Sequence, residues 1–257
     1  MGAILLKNCN IIDEMGAISA GKDILIENGA IAAVGRGLSP EGPIEETVDC
    51  SALFVTPGFA VLHAHSPMHI LRGLAEDVTA SDWFNKEIWP YESKIQPEDI
   101  YWGSRLCCAE MLDHGVTVFA DHYFHGEQIA RAAKETGIRA DIAGTVFAPD
   151  GDVEPEAAPV RELMDQYRDD PMVHVRFGPH SPYICSPQVL EKLVAMARET
   201  GGGIHLHVSE TEEQVAESYR KHGASPFAVA AKAGCFTVPC IVAHGLWMEE
   251  KDLELLA

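Results

Sequence analysis

From residue 53 onward, short apolar runs alternate along the chain with longer amphipathic stretches. Apolar runs bounded by glycine, proline and polar residues are typical of buried strands. Glycine follows several of the amphipathic stretches, as at Gly115, Gly137 and Gly223, where a helix would end. Strand followed by helix, repeated at this spacing, predicts a parallel sheet that is open or closed. The predicted strands cover about 54–63, 116–121, 138–146, 172–178, 203–209 and 240–244, and the predicted helices cover 98–114, 127–136, 155–169, 187–200 and 211–222.

Residues 1–52 follow a different pattern. Short apolar strands are predicted at 4–6, 23–26 and 31–35, and Glu27-Asn28-Gly29 is a hairpin signal between the last two. We therefore predict two domains. Residues 1–52 form the N-terminal part of a small composite β-rich domain of the sandwich type, and residues 53–257 form the strand–helix domain.

Polar residues at the ends of the predicted strands favour a closed barrel over an open sheet. They follow the first, fourth, fifth and sixth strands. In a barrel the carboxyl ends of all strands meet at one mouth, whereas an open sheet would hold these four ends apart. We predict an α/β fold, a (β/α)8 TIM-like barrel of which about six strand–helix units are present. The chain stops inside a helical stretch, so we expect about two more units beyond it.

Histidines supply the strongest chemical signal. His63 and His65 close the first strand, and residues two apart on a strand face the same side, so both imidazoles can point at one metal ion. His205 and His207 form a second such pair. His207 lies nearer the mouth and is the expected ligand, whereas His205 lies one layer deeper and is expected to be structural. For either pair alone, histidines hydrogen-bonded in the core are the competing interpretation.

Three further polar residues follow strand ends. Glu210 lies at a strand-to-helix turn, where a carboxylate can reach a water at the metal without binding the metal, as a proton shuttle does. An acid stabilised by the helix dipole is the alternative. His180 lies between two prolines and suits a substrate contact. For His244, a hydrogen bond to the attacking water competes with a plain core role.

One divalent metal is favoured over two. The fourth strand has no lysine that could bridge two ions. Histidine ligands suit zinc, with iron as the alternative. The remaining histidines give no ligand signal: His69, His114, His122, His125, His174 and His222.

Composition indicates which classes of partner and which cellular compartment suit the protein. The net charge of −20, from 19 basic and 39 acidic residues, disfavours nucleic acid and anionic membranes as partners and is typical of a soluble acidic surface. No apolar run reaches the roughly 18 residues of a membrane span. The seven cysteines are odd in number and lack a Cys-x-x-Cys motif, which favours a reducing cytoplasm.

Taken together and in order, these motifs resemble the amidohydrolase superfamily, in the branch of adenosine-type and cytosine-type deaminases with their chlorohydrolase relatives. Within that branch the sequence is similar to 5′-methylthioadenosine/S-adenosylhomocysteine deaminases. The resemblance spans nearly the whole chain. The marks that carry it are Pro57-Gly58-Phe59, His63-Ala64-His65, Leu71-Arg72-Gly73, Trp89-Pro90, Glu92, Glu110-Met111, Asp121, Tyr123-Phe124-His125, Gly178 to Tyr183, His207 to Thr211 and Ala243-His244.

The resemblance implies a barrel of the metal-dependent hydrolase type and a role for each site residue. It implies that His63, His65 and His207 bind the metal, that Glu210 shuttles protons and that His244 orients the attacking water. It implies substrate contacts from Trp83, Glu92, His180 and Arg161. The family's last ligand, an aspartate on the eighth strand, is expected beyond this chain. The resemblance also implies a homo-oligomer.

The function implied is hydrolytic deamination of an aminated heterocycle, most of all an adenosine-type nucleoside. Residues 143–145 read Ala-Gly-Thr where an arginine for a homocysteine carboxylate is expected. This departure disfavours S-adenosylhomocysteine and leaves smaller nucleosides or other amino-heterocycles open as small-molecule substrates. The alternatives are a chlorohydrolase or another aminohydrolase of triazine, guanine or cytosine type, or an inactive truncated fragment.

Overall fold

The computed structural model describes residues 2–79 and 82–256. Ala257, the last residue of the predicted barrel domain, therefore lies outside the described residues. Contacts divide the chain into two compact units, Met1–Gly58 and Phe59–Ala257. The boundary falls after residue 58 rather than after residue 52, because the short strand Phe54–Val55 pairs with the N-terminal sheet.

The first unit is a five-stranded mixed sheet. Its strand order is β3-β2-β1-β4, and β5 pairs with β1. Asn28 and Gly29 both have positive φ, as the hairpin turn between β2 and β3 requires. The strands are β1 (Ala3–Ile12), β2 (Ile18–Glu27), β3 (Ala30–Gly35), β4 (Ile44–Asp49) and β5 (Phe54–Val55).

The second unit contains the six predicted strands, all parallel and in chain order. The sheet runs β11-β10-β9-β8-β7-β6. Its strands are β6 (Phe59–Ala64), β7 (Val116–Tyr123), β8 (Arg139–Val146), β9 (Val173–Pro179), β10 (Ile204–Val208) and β11 (Cys240–His244). Its α-helices are α1 (Trp89–Glu92), α2 (Pro97–Asp113), α3 (Gly126–Thr136), α4 (Glu154–Gln166), α5 (Pro187–Thr200), α6 (Glu212–His222), α7 (Pro226–Lys232) and α8 (Glu250–Leu253).

The core of this unit lies between the sheet and the helices. Phe119, Ile142, Phe177 and Leu206 alternate with inward-facing residues along β7 to β10 and are fully buried. They pack with apolar residues of the helices, such as Leu190 of α5, in one cluster. Burial of this apolar surface fixes the strand register, so the opposite set of side chains faces the barrel interior.

The sheet curls until its two edge strands face each other. Neighbouring strands lie about 4.8 Å apart, so a flat sheet would separate β6 from β11 by roughly 24 Å. The rings of His63 on β6 and His244 on β11 are nevertheless only 5.3 Å apart. This curvature places the strand ends around one mouth and agrees with the predicted barrel.

Among the described residues, no helix is long and apolar enough to cross a membrane.

Candidate active site

Histidines from four strands and one loop meet at the barrel mouth. The ring of His207 lies 4.9 Å from that of His63, 5.3 Å from His65 and 5.4 Å from His244, measured between centroids. His180, in the loop after β9, lies 4.7 Å from the same ring. His122 of β7, at 4.6 Å, completes the group. We call these six residues the histidine cluster.

Hydrogen bonds fix the protons of two of these histidines. His65 Nδ1 lies 2.6 Å from the carbonyl oxygen of His122, and His207 Nδ1 lies 2.8 Å from that of His180. A carbonyl oxygen only accepts, so both Nδ1 atoms carry the proton and both Nε2 atoms are bare acceptors. These two Nε2 atoms are 3.4 Å apart. Two lone pairs repel at this distance, and a cation bound between them would relieve the repulsion.

A second observation supports a cation at this point. One ligand nitrogen each from His63, His207 and His244 lies within 4.8 Å of the others. The predicted ligand set was His63, His65 and His207. The structure places the three rings 4.8–5.3 Å apart, and the group of ligand nitrogens within 4.8 Å of one another contains His244 in place of His65. The donor set, neutral imidazole nitrogens at the mouth of a barrel, fits a zinc-type ion.

Burial keeps four of these rings neutral, as metal ligands must be. Desolvation, with the neighbouring imidazoles adding to it, lowers the pKa of His63 to about 3 and that of His180 to about 4. Burial also lowers the pKa of His65 and His207. At neutral pH these rings therefore present lone pairs rather than charges.

Adding Zn²⁺ to the metal-free protein should raise its stability. At a free concentration about 100 times the Kd, we expect a gain of about 2.7 kcal/mol in the free energy of unfolding. Urea unfolding with and without the ion measures this gain. His207→Ala should abolish it, whereas the exposed His174→Ala should leave it intact. An equal gain in both variants would place the ion elsewhere.

Glu210 stands beside this cluster. Its Oε1 lies 3.7 Å from His244 Nε2, and its Oε2 lies 3.4 Å from the Tyr183 hydroxyl, which donates to it. Thr211 caps α6, because its side chain accepts from Gln214 N while the Gln214 side chain accepts from Thr211 N. This capping box holds Glu210 directly before the helix. The carboxylate is thus fixed next to the metal-binding nitrogens without being among them.

Two residues at the barrel mouth have strained backbone conformations. Ser209, directly after β10, has φ +52°, and His244, the last residue of β11, has φ +71°. Residues other than glycine seldom adopt this conformation, and it is found most often at functional sites. Here it turns the chain at the strand ends that carry Glu210 and His244.

A cavity of about 280 Å³ adjoins the cluster. Phe147 on its wall stacks on His180, with ring centroids 5.2 Å apart, and Thr145 Oγ1 lies 3.1 Å from His122 Nδ1. Buried Glu92 accepts a hydrogen bond from the Tyr123 hydroxyl, and burial raises the pKa of Glu92. The residues that line the cavity are Trp89, Glu92, Ser93, Ile95, Phe124, Thr145, Phe147 and Glu156.

Two predicted substrate contacts lie apart from this lining. Trp83 begins a π-helical segment, Trp83–Ile88, and is half-buried. Arg161 lies on α4, where its guanidinium pairs with Glu154 and lies 3.7 Å from the Met196 sulfur. In the part of the chain that the structure describes, neither residue lines the cavity. Their roles stay predictions.

The sequence interpretation missed some residues of the site. His122 was set aside, yet it lies at the end of a barrel strand, and this position was the signal that identified the other histidines. Asp121, one residue earlier, is fully buried and faces outward. It accepts hydrogen bonds from the backbone N and the hydroxyl of Ser66, the residue after His65. Asp121 thereby anchors the loop that follows the first strand.

A curled, partial parallel barrel with histidines and one glutamate at its mouth is typical of the class of metal-dependent hydrolases. The sequence profile of the amidohydrolase family matches residues 54–257. The chain belongs to this family, whose members depend on a metal.

The chain is similar throughout its length to several curated deaminases. It is 38% identical to a 5-methylthioadenosine/S-adenosylhomocysteine deaminase of Thermococcus sibiricus, over 99% of this chain and 61% of the relative. It is 37% identical to the enzyme of that name from Thermoanaerobacter pseudethanolicus, over 98% of this chain and 60% of the relative. The chain thus spans about 60% of the length of these relatives.

Solved structures share the fold. An adenosine deaminase from Xanthomonas campestris with bound zinc matches with a TM-score of 0.90 and 28% identity, over 98% of this chain and 60% of the other. A triazine hydrolase from Arthobacter aurescens also reaches 0.90, at 22% identity, over 100% of this chain and 63% of the other. At that lower identity the likeness shows the fold alone.

Proposed function

We propose that the protein that contains this chain hydrolytically deaminates an adenosine-type nucleoside. The observation that carries the proposal is the position of Glu210, 3.7 Å from His244 and next to the bare imidazole nitrogens of the cluster. A metal site that only stored an ion would have no use for a fixed carboxylate there. The names of the curated relatives and of the zinc-containing adenosine deaminase support the choice of substrate.

Each residue of the site has its own role in the proposed reaction. His63, His65 and His207 would hold one divalent ion, zinc by donor type or iron, which would supply Lewis-acid polarisation of a water. His244 orients this water. Glu210 takes one proton from the water and passes it to the ring nitrogen beside the amine-bearing carbon as the water oxygen bonds to that carbon. Glu210 then moves the proton that remains on this oxygen to the amine, the carbon–nitrogen bond breaks, and ammonia leaves as the carbonyl forms. Glu92 and His180 hold the nucleoside at the adjoining cavity.

Two details of the proposal concern the substrate and the compartment. The cavity lining in the described residues contains two carboxylates, Glu92 and Glu156, and no lysine or arginine. A substrate carboxylate buried there would have no partner, which is costly. We therefore favour 5′-methylthioadenosine or adenosine over S-adenosylhomocysteine. All seven cysteines are free, which supports a cytoplasmic enzyme.

Ammonia release from a panel of nucleosides, aminated bases and chlorotriazines, by the metal-loaded protein as its gene encodes it, tests the proposal. We expect release from 5′-methylthioadenosine and adenosine, with kcat/KM for S-adenosylhomocysteine at least about tenfold lower, which is about 1.4 kcal/mol. Ser93→Arg adds a cation to the cavity wall and should narrow this gap. Chloride release from a triazine without ammonia release from any nucleoside would refute the proposal.

A further inference from the structure

His63 is held differently from its two neighbours in the cluster. His65 and His207 donate their Nδ1 protons to backbone carbonyl oxygens, and a carbonyl oxygen can only accept a hydrogen bond. His63 Nδ1 instead lies 2.9 Å from Nε2 of His205, a fully buried side chain one layer below His207 on β10. An imidazole nitrogen can donate or accept, so the proton between these two rings has two possible positions.

Only one position is compatible with metal binding by His63. If His63 Nδ1 carries the proton and donates to His205 Nε2, the His63 Nε2 lone pair is free for a cation. If His205 Nε2 carries it and donates to His63 Nδ1, the single N–H proton of neutral His63 lies on its own Nε2 and blocks that lone pair. The tautomer of His205 therefore determines whether His63 can bind.

The surroundings of His205 favour the first arrangement. Its Nδ1 is buried and has no hydrogen-bond partner among the described residues. Below it lies the Asp141–Arg176 ion pair, with Arg176 Nε 2.5 Å from Asp141 Oδ1. The guanidinium packs so closely under β10 that a Cβ on Gly203 would lie 2.7 Å from Arg176 Nη1. The negative charge of Asp141 at this level favours a proton on the unpartnered Nδ1 of His205, and a proton on Nδ1 leaves Nε2 free to accept from His63.

We propose that His205 is a positioning residue for the metal site. It accepts a hydrogen bond from His63 Nδ1 and so selects the His63 tautomer that can bind a cation. The inference rests on the metal-binding part of the proposed function and not on the choice of substrate. It assigns a task to a histidine that the sequence interpretation regarded as structural.

The metal Kd tests this role without any assay of activity. Competition with a chromophoric chelator gives the Kd for Zn²⁺. We expect His205→Leu to raise it by about 10–100-fold. His205→Gln, whose amide oxygen can accept from His63, should restore most of the affinity. His114→Leu is the control, because it removes an exposed imidazole that lies outside the histidine cluster and hydrogen-bonds to the Glu110 carbonyl oxygen, and its Kd should stay near that of the wild type.

The tautomer itself gives a second readout. In ¹⁵N NMR of the metal-free protein, His63 should be protonated at Nδ1 in the wild type and should populate both tautomers in His205→Leu. An unchanged Kd in His205→Leu, or an equal loss in His114→Leu or in His205→Gln, would overturn the inference. His63→Ala separates this failure from failure of the metal site, because unchanged zinc affinity in that variant would refute the site itself.

Discussion

Glu210→Gln is expected to lower kcat for ammonia release by about 10²–10⁴-fold, the usual contribution of a positioned general acid–base group. Glutamine keeps the shape of the side chain and its hydrogen bond to Tyr183 but cannot take up and release a proton. The bound metal should stay, because the carboxylate lies beside the histidine nitrogens and is not one of the three ligands that we propose. Steady-state kinetics on 5′-methylthioadenosine, with zinc content measured in parallel, checks both statements.

Glu213→Gln is the matched control for this prediction. Glu213 lies in the first turn of α6, on the same helix terminus, and is exposed to solvent. It therefore shares the dipole environment of Glu210 without facing the cluster. If the acid at this terminus served only to stabilise the helix, both variants would lose a few tenths of a kcal/mol in stability and neither would lose activity. Undiminished turnover in Glu210→Gln would remove the proton shuttle from the mechanism.

Periodicity was sufficient to predict the barrel strands. In the run 203–209, Ile204, Leu206 and Val208 form an apolar face that alternates with His205 and His207, which is the period-two pattern of a strand. The observed β10, Ile204–Val208, lies within that range. Strand-end position then located His63, His207 and Glu210, because all barrel strands end at one mouth. The local sequence is sufficient to predict the strands and the residues at their ends, because burial and the direction of each strand determine where these side chains lie.

Tertiary packing decided what the sequence could not reveal. The hydrogen bond between His63 and His205 joins strands 142 positions apart, and no local pattern encodes it. The position of Arg161 relative to the cavity depends on how α4 packs. In the structure the Arg161 guanidinium contacts Glu154 and Met196. The segment 83–92 forms a π-helical turn followed by α1, although its aromatic residues gave no helical period. In each case, contacts distant in sequence outweigh local preference.

The structure also links the metal site to a buried acid outside the barrel interior. Asp121 is fully buried on the helix side of β7, and burial raises its pKa to about 7. The hydrogen bonds from Ser66 oppose this shift by favouring the carboxylate. Ser66 Oγ also lies 3.1 Å from Ser104 Oγ on α2, so Asp121, Ser66 and Ser104 form one buried network. Ser66 directly follows His65, which is a proposed ligand. The protonation of Asp121 therefore affects the hydrogen bonds that hold the loop after His65.

We expect the wild-type protein to lose stability relative to Asp121→Asn as the pH rises from about 4 to about 7. Below pH 4 the acid is protonated in the folded and unfolded states alike. Between the ordinary value of 3.8 and the folded value of about 7, only the folded state keeps its proton, so rising pH favours unfolding. The loss for about three pKa units is on the order of 4 kcal/mol. Asparagine imitates the protonated acid, because its amide can donate to Ser66 Oγ while its oxygen accepts from Ser66 N.

Urea unfolding of both proteins across this pH range, in the presence of a chelator, measures the difference. The histidines titrate in both proteins, so their contribution cancels when the two free energies are subtracted. Ser66→Ala in the wild-type background provides a second check. It removes a hydrogen bond that favours the carboxylate, so it should raise the pKa of Asp121 and carry the loss of stability to higher pH. A difference that grows in favour of the wild type with rising pH would mean that the Ser66 hydrogen bonds outweigh desolvation. Asp121 would then be an ionised anchor of the loop after His65.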